Sequence, residues 1–297
     1  MNDLLKKFEN VKVDAAARIA PEDAAWCESE QANYSRAHKL YTDFRDAVSE
    51  AMAIEIEDWK VRNGGVKPYR NKYCDTYGDA GLSNIDKHVK EIQISFISGI
   101  RYYFSEKYGV KLDSNIMDTN LGMNAPKYNR YSDSQWEEKQ KLYEEWSTRA
   151  LHYNEIVDEI LLQLGGLTFT DKAIQQIKDN ASESAHYKYS PSNPYYTVNK
   201  KMIQFKESFL AYDKEYSAVL LALWHFNTGL PSLADSYWSR ELDVRRTWHG
   251  EDKRVGTPYE FEGQKVCKMR YFKNGRWDIT FASAELADTF AREYLGY

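Results

Sequence analysis

The chain has 297 residues, 42% of them apolar and 29% charged, with a formal net charge of −5. That is enough apolar material for a core, and it excludes a disordered polyelectrolyte. The longest unbroken apolar run, Ala218–Trp224, is far short of the roughly 20 residues a membrane helix needs, so no span is expected. Met1 to Asn10 mixes charge with apolar residues and lacks a signal-peptide core, which fits a non-secreted, cytoplasmic protein. Cys27, Cys74 and Cys267 are too few and too scattered for a disulfide framework or a thiolate zinc site. Aromatic residues make up 14% of the chain, with 23 Tyr and 8 Trp, residue types that collect both in cores and at interfaces.

Residues 21–63 read as helix. Pro21 suits a first turn, and Glu22 and Asp23 suit its positive end. Trp26, Tyr34, Leu40, Tyr41, Phe44, Val48, Met52 and Trp59 recur at helical spacing up to Gly64-Gly65. The span is long for one helix, so a break is expected. Residues 66–82 read as a loop. A clear helix follows, with Ser83 as its N-cap. Its stripe is Ile85, Val89, Ile92, Phe96, Ile100 and Tyr103, and Gly109 is the stop. Residues 113–133 read as irregular. Ser134-Gln135-Trp136-Glu137 matches a capping box and opens a helix predicted to run to Leu164. A short helix after Thr170 and a Tyr- and Pro-containing loop over 182–199 come next.

Met202, Phe205, Phe209, Tyr212, Tyr216, Val219, Leu223 and Phe226 alternate steps of three and four, which predicts one helix stopped by Gly229 and Pro231. Beyond residue 235 the period shortens. Residues 242–248, 259–272 and 276–281 read as strands, and Ser283 caps a last helix carrying Leu286, Phe290 and Tyr294. The expected fold class is α+β, mainly α. A helical body spans 1–235, with a candidate division at 110–133, and a small α+β domain spans 236–297.

The turn Lys273-Asn274-Gly275-Arg276 sets a register. A two-residue Asn-Gly turn would pair Arg270 with Ile279 and Lys268 with Phe281, mixing charge and apolar groups on each face. A three-residue loop with left-handed Gly275 instead pairs Tyr271 with Trp277, Met269 with Ile279 and Cys267 with Phe281 on one face. Arg270–Asp278 and Lys268–Thr280 then occupy the other. A slip by one residue exchanges the faces, so the bulged hairpin is expected.

The run from Lys268 to Phe281, followed by Glu285-Leu286, resembles the C-terminal signature of a phage- and plasmid-borne domain family of unknown function. Members tend to end in a strand, a Phe-Lys-Asn-Gly turn, a second strand and a short helix, and are sometimes found beside adenine methyltransferases. The resemblance covers some 30 residues and implies a mobile-element origin rather than an activity. Phage accessory proteins of this size include inhibitors of host defence. The chain resembles the anti-Gabija group in size and aromatic richness.

Catalytic signatures are missing. No Walker loop, Gly-x-Gly-x-x-Gly fingerprint or nucleophile elbow occurs, which disfavours P-loop hydrolysis, Rossmann chemistry and the hydrolase route. His152, Glu155 and Glu159 share a helical face, but a bridged metal site needs Glu-x-x-His from two helices. The expectation is a solvated pair. His225 reads as a core or capping histidine. Asp113, Asn115 and Asp118 lack the glycine and terminal glutamate of a calcium loop and read as a turn. Glu241, Asp243, Glu260 and Glu262 beside Lys265 are the nearest thing to a nuclease cluster, with the wrong spacing. No catalytic residue, metal or cofactor is expected.

Charge is uneven. Residues 244–276 hold nine basic and four acidic side chains, +5, leaving −10 for the rest. Arg245, Arg246, Trp248, Lys268, Arg270, Lys273 and Arg276, with Tyr271 and Trp277 among them, could grip phosphate and stack bases, or dock on an acidic protein. Tyr187, Tyr189, Tyr195 and Tyr196 form one of three loops mixing Tyr with Lys or Arg, which is hot-spot chemistry. A net charge of −5 repels a duplex at long range, which favours a protein partner. The leading expectation is a non-enzymatic phage protein that binds a host defence complex stoichiometrically and blocks its access to nucleic acid. The aromatic surface also suggests a homo-oligomer. The alternative is a nucleic-acid-binding module built on the basic C-terminal segment.

Overall fold

The computed structural model describes residues 19–65, 81–123, 141, 149–187, 190–207, 209, 213–233, 236–242 and 255–297. It is a mainly helical α+β protein. The chain divides into two compact units, Met1–Ser105 with Leu112–Gly166, and Glu106–Lys111 with Leu167–Tyr297. The expected domain border at 235/236 does not separate compact units. Strands upstream of it complete the sheet whose other strands lie downstream, and the helices over residues 169–184 and 213–228 cover that sheet.

The described part of the first unit is helical. Helix α1 (Pro21–Arg62) is unbroken over 42 residues. No Pro or Gly interrupts it between residues 22 and 62, and kinks almost always need such a residue or an inserted group. Its first half is held by aromatic stacking on α2 (Leu82–Tyr108): Trp26 on Tyr103 at 4.0 Å and Tyr34 on Phe96 at 4.2 Å between ring centres. Buried Asp23 accepts a 2.7 Å hydrogen bond from the Tyr103 hydroxyl. The inner stripe of α2 buries Ile85, Val89, Gln93, Phe96, Ile97, Ile100 and Phe104, and Gly109 follows it in the left-handed region at φ 67°.

Two expectations fail nearby. The stretch expected to be irregular contains a short helix, α3 (Ser114–Asn120). Asp113, read as a turn residue, caps it by accepting from the Asn115 and Ile116 amides. The helix expected from Ser134 to Leu164 instead begins afresh as α4 (Tyr153–Leu164). His152 and Glu155, the reversed metal-type pair, form its reciprocal cap. The Asn154 amide donates to His152 Nδ1, and the His152 amide donates to Glu155. The Ser134 capping box lies outside the described residues, as does the 66–80 part of the first loop.

The second unit is a two-layer α+β structure. Helix α5 (Phe169–Ser184) leads into a small antiparallel pair, β1 (His186–Tyr187) and β2 (Ser190–Pro194). A five-stranded antiparallel sheet follows: β3 (Tyr196–Asn199), β4 (Met202–Phe205), β5 (Tyr259–Glu260), β6 (Val266–Tyr271) and β7 (Trp277–Phe281), in the order β3-β4-β7-β6-β5. Helices α6 (Asp213–Thr228) and α8 (Ala284–Tyr294) join α5 on one face. Helix α7 (Tyr237–Glu241) contributes buried Trp238.

So the described residues of 182–199 end a helix and form strands, rather than a loop. The helix expected from Met202 also starts late, at Asp213, because Ile203 and Phe205 alternate inward as a strand. The strand expected at 242–248 is replaced at its first residue by Leu242, the C-cap of α7; residues 243–248 lie outside the described residues.

The 271–277 hairpin has the three-residue loop expected of it. Gly275 takes φ 80°, its amide donates to the Phe272 carbonyl at 2.9 Å, and the Phe272 amide donates to Arg276 at 3.1 Å. Tyr271–Trp277, Arg270–Asp278, Met269–Ile279 and Lys268–Thr280 pair as the sequence sorted them. Cys267 does not pair with Phe281. A bulge between Val266 and Lys268 puts Val266 there instead. Replacing Gly275 with alanine is expected to cost about 1 kcal/mol or more, because a Cβ is disfavoured at positive φ. An unchanged urea midpoint would count against this turn.

The helical layer buries a histidine. His225 is 8% exposed and shares a 2.7 Å hydrogen bond between its Nδ1 and the Tyr294 hydroxyl. Burial pushes its pKa below the ordinary histidine value, and the Lys178 and Lys265 ammonium groups push it further, against a smaller opposing effect of Glu293. The unfolded chain then binds this proton more readily than the folded one. Its contribution to stability is complete above about pH 6.5 and is lost as pH falls from there towards the folded-state pKa. Melting temperature should fall between pH 7 and 5, and less steeply in His225→Gln.

Candidate recognition surfaces

The sheet of the second unit has one covered and one open face. Inward residues are Ile203 and Phe205 on β4, Val266, Met269 and Tyr271 on β6, and Trp277, Ile279 and Phe281 on β7, all 0–1% exposed. Tyr271 and Trp277 are therefore core, and neither can stack a base from outside. The alternate residues form two outward rows set by the register: Thr197, Gln204, Asp278 and Arg270, then Asn199, Met202, Thr280, Lys268 and Glu260.

Four of the expected site residues meet at this face or its hairpin end. Arg276 and Arg270 both approach the half-buried Phe272 ring, with guanidinium carbons 3.8 and 4.9 Å from its centre. Such contacts are worth about 0.5–1 kcal/mol at exposed sites. Asp278 anchors Arg276 by an ion pair at 3.3 Å and accepts from Gln204 at 2.9 Å. Lys268 pairs with Glu260 across the strands at 2.9 Å. Lys273 is exposed at the turn, beside Asn274, which donates to Glu207. The face is a mosaic of paired charges around an arginine–phenylalanine cluster, rather than a uniformly basic strip. Arg245, Arg246 and Trp248 lie outside the described residues.

The tyrosine loop separates into different roles. Tyr187 and Tyr195 are half-buried with ring centres 3.7 Å apart, and Lys206 Nζ sits 5.7 Å from the Tyr187 ring centre. Tyr196 is 3% exposed and donates to the Leu295 carbonyl, and burial pushes its pKa up to about 12. It is a core residue, which corrects its expected place at an interface. Tyr189 lies outside the described residues.

Two of the other weighed groups have structural partners. Glu159 accepts from Asn120 at 2.7 Å, and Lys265 donates to the Phe226 carbonyl at 2.8 Å. Burial, reinforced by Asp23, raises the Cys27 thiol to about 12, which makes it a poor nucleophile. Among the described residues, no three His, Cys, Asp or Glu side chains come together in a way that could hold a metal.

A second surface escaped the reading of the sequence. The apolar residues of α1 lie on two sides of the helix. One side carries buried Cys27, Tyr34 and His38, continued by half-buried Tyr41, Val48 and Met52. At 100° per residue, Leu40, Phe44, Ala47, Ala51, Ile54, Asp58 and Val61 fall roughly 130° away. All seven are exposed. Leu40, Phe44, Ile54 and Val61 are 65%, 46%, 59% and 78% exposed. The steps alternate four and three, the spacing of a coiled-coil seam. Counting in sevens from Leu40 would have separated this stripe from the inward one.

No protein-family model, no curated protein and no solved structure matches the chain.

Proposed function

We propose that the protein acts by stoichiometric binding to another protein, without catalysis. We further propose that its target is a host anti-phage defence complex, with a Gabija-type nuclease complex the first to test. Bound in the host cytoplasm, it would block the access of that complex to nucleic acid. The outer stripe of α1 carries the protein-binding part of this reading. Apolar residues scattered singly over a surface are ordinary, whereas aligned ones mark interaction sites. Here four large apolar side chains share one line with two alanines along some 20 residues of helix. The C-terminal resemblance to a phage- and plasmid-borne family supports the choice of target. Among the described residues, no helix is long and apolar enough to cross a membrane.

Titration against the purified defence nuclease tests the reading. Inhibition should rise linearly and saturate near one protein per binding site. Complete inhibition far below that ratio would indicate catalysis and overturn it.

The Arg270–Phe272–Arg276 cluster favours a second reading, in which the open sheet face holds single-stranded nucleic acid against guanidinium planes. It requires affinity for a single-stranded oligonucleotide that falls steeply with salt and drops on Arg270→Ala. Absence of binding at low salt removes it.

A further inference from the structure

Resting on the protein-binding reading, we infer that the outer stripe of α1 seats an amphipathic helix of the partner, one with a seven-residue apolar repeat and Lys or Arg along its flank. The seam positions are Leu40, Phe44, Ala47, Ala51, Ile54, Asp58 and Val61. From first to last they span about 32 Å of helix, so a partner segment of about three heptads covers them. Ala47 and Ala51 leave room for large apolar side chains between Phe44 and Ile54. Such side chains are what a helix laid along a groove inserts as anchors.

Charge beside the seam selects the occupant. Asp43, Glu50 and Glu57 immediately precede Phe44, Ala51 and Asp58, and all three are exposed. They form an acidic row at seven-residue spacing, in the flanking position that sets partner choice in paired helices. Lys39 and Lys60 approach two of them within α1, at 2.6 and 3.1 Å, but these pairs are largely exposed and therefore weak.

A second copy of the chain fits poorly. Packed antiparallel, the row would set Asp43 against Glu57 of the copy and Glu50 against its counterpart. Packed parallel, Asp43 would face Val48, Glu50 would face Glu55, and only Glu57 would meet a cation, Arg62. A basic flank meets opposite charge along the whole row, whereas an acidic one, or a second copy packed antiparallel, meets like charge. This is the combination of attraction and exclusion by which paired helices choose partners.

The test uses the full-length protein and two fluorescein-labelled peptides of three heptads. Both have leucine at the seam positions; one has lysine and the other glutamate at the flanking positions. The lysine peptide should bind at least tenfold more tightly at low salt, with the gap narrowing at high salt. Ile54→Asp should weaken it at least tenfold, with helicity and melting temperature unchanged because the side chain is exposed. The triple variant D43K/E50K/E57K should reverse the preference between peptides.

Equal binding of the two peptides, no binding, or binding that survives Ile54→Asp would overturn the inference. So would a dimer in sedimentation equilibrium that Ile54→Asp dissolves, which would assign the seam to a second copy. Capture of the defence complex separates this inference from the broader reading. If Ile54→Asp still captures it, the partner docks elsewhere and only the seam assignment fails. If the wild type captures nothing while the lysine peptide binds the seam, the choice of target fails instead.

Discussion

Trp277→Ala should destabilise the second unit by about 3–5 kcal/mol, the cost of deleting a fully packed aromatic from a core. Trp277 is 0% exposed on β7, the middle strand of the sheet. Its ring lies 5.6 Å from Phe205, 5.7 Å from Tyr271 and 5.0 Å from Tyr216 between centres. Phe205 and Tyr271 sit opposite it on the two neighbouring strands, and Tyr216 reaches it from α6. One substitution therefore empties the point where both strand pairings meet the helical layer. A loss of this size is comparable to the whole stability of many domains, about 5–15 kcal/mol. Because the chain has two compact units, exchange read residue by residue assigns the loss to one of them. Hydrogen exchange of residues 266–281 should accelerate by two to three orders of magnitude, while that of residues 85–104 stays near its original rate. Less than a tenfold change over β6 and β7 would show that Trp277 is not the centre of this core.

The same hairpin shows what the sequence could disclose. Its alternation admitted one register with a clean apolar face, and four of the cross-strand pairs follow from it. The fifth fails at Cys267 because a bulge adds one residue, which alternation cannot register in advance. Strand β4 was concealed for a different reason. Met202, Phe205 and Phe209 fit a helical stripe as well as a strand, and only Ile203 and Phe205 point inward. Its partner β7 lies more than 70 residues away, and the preceding turn has no Gly or Pro. Lys200 supplies the positive φ there, at 50°. The 235/236 border rests on the same ambiguity, since without β3 and β4 the sheet begins after residue 235.

Of the candidate site, the basic residues of the open sheet face were legible as residue types but not in their pairing. Lys268 and Arg276 each hold a carboxylate, which lowers the charge available to an anionic ligand. Tyrosine content misled at Tyr196, because composition says nothing about burial. The outer stripe of α1 was hidden by its own helix. Apolar residues on two sides blur into one irregular series; a seven-residue count divides it into two stripes, and the exposure of each residue shows which stripe packs and which does not.

That separation leads to the largest functional effect. On the proposed function, replacing both Phe44 and Ile54 with aspartate should abolish inhibition of the proposed target at equimolar protein, with loss of affinity of roughly 30- to 1000-fold, as expected for removing central anchors worth about 2–4 kcal/mol. The folded unit should tolerate the change, since neither side chain is buried and Tyr34, which stacks on Phe96 on the inward side, is untouched. Tyr34→Ala provides the contrast. It should lower the melting temperature by emptying that stack and leaving the Leu151 amide without the hydroxyl that accepts from it at 3.0 Å, while the seam residues remain in place. Loss of inhibition in the aspartate variant at unchanged melting temperature places the contact on the outer face. Full inhibition by that variant would move the contact off α1, and the open face around Arg270 and Phe272 would become the surface to substitute next.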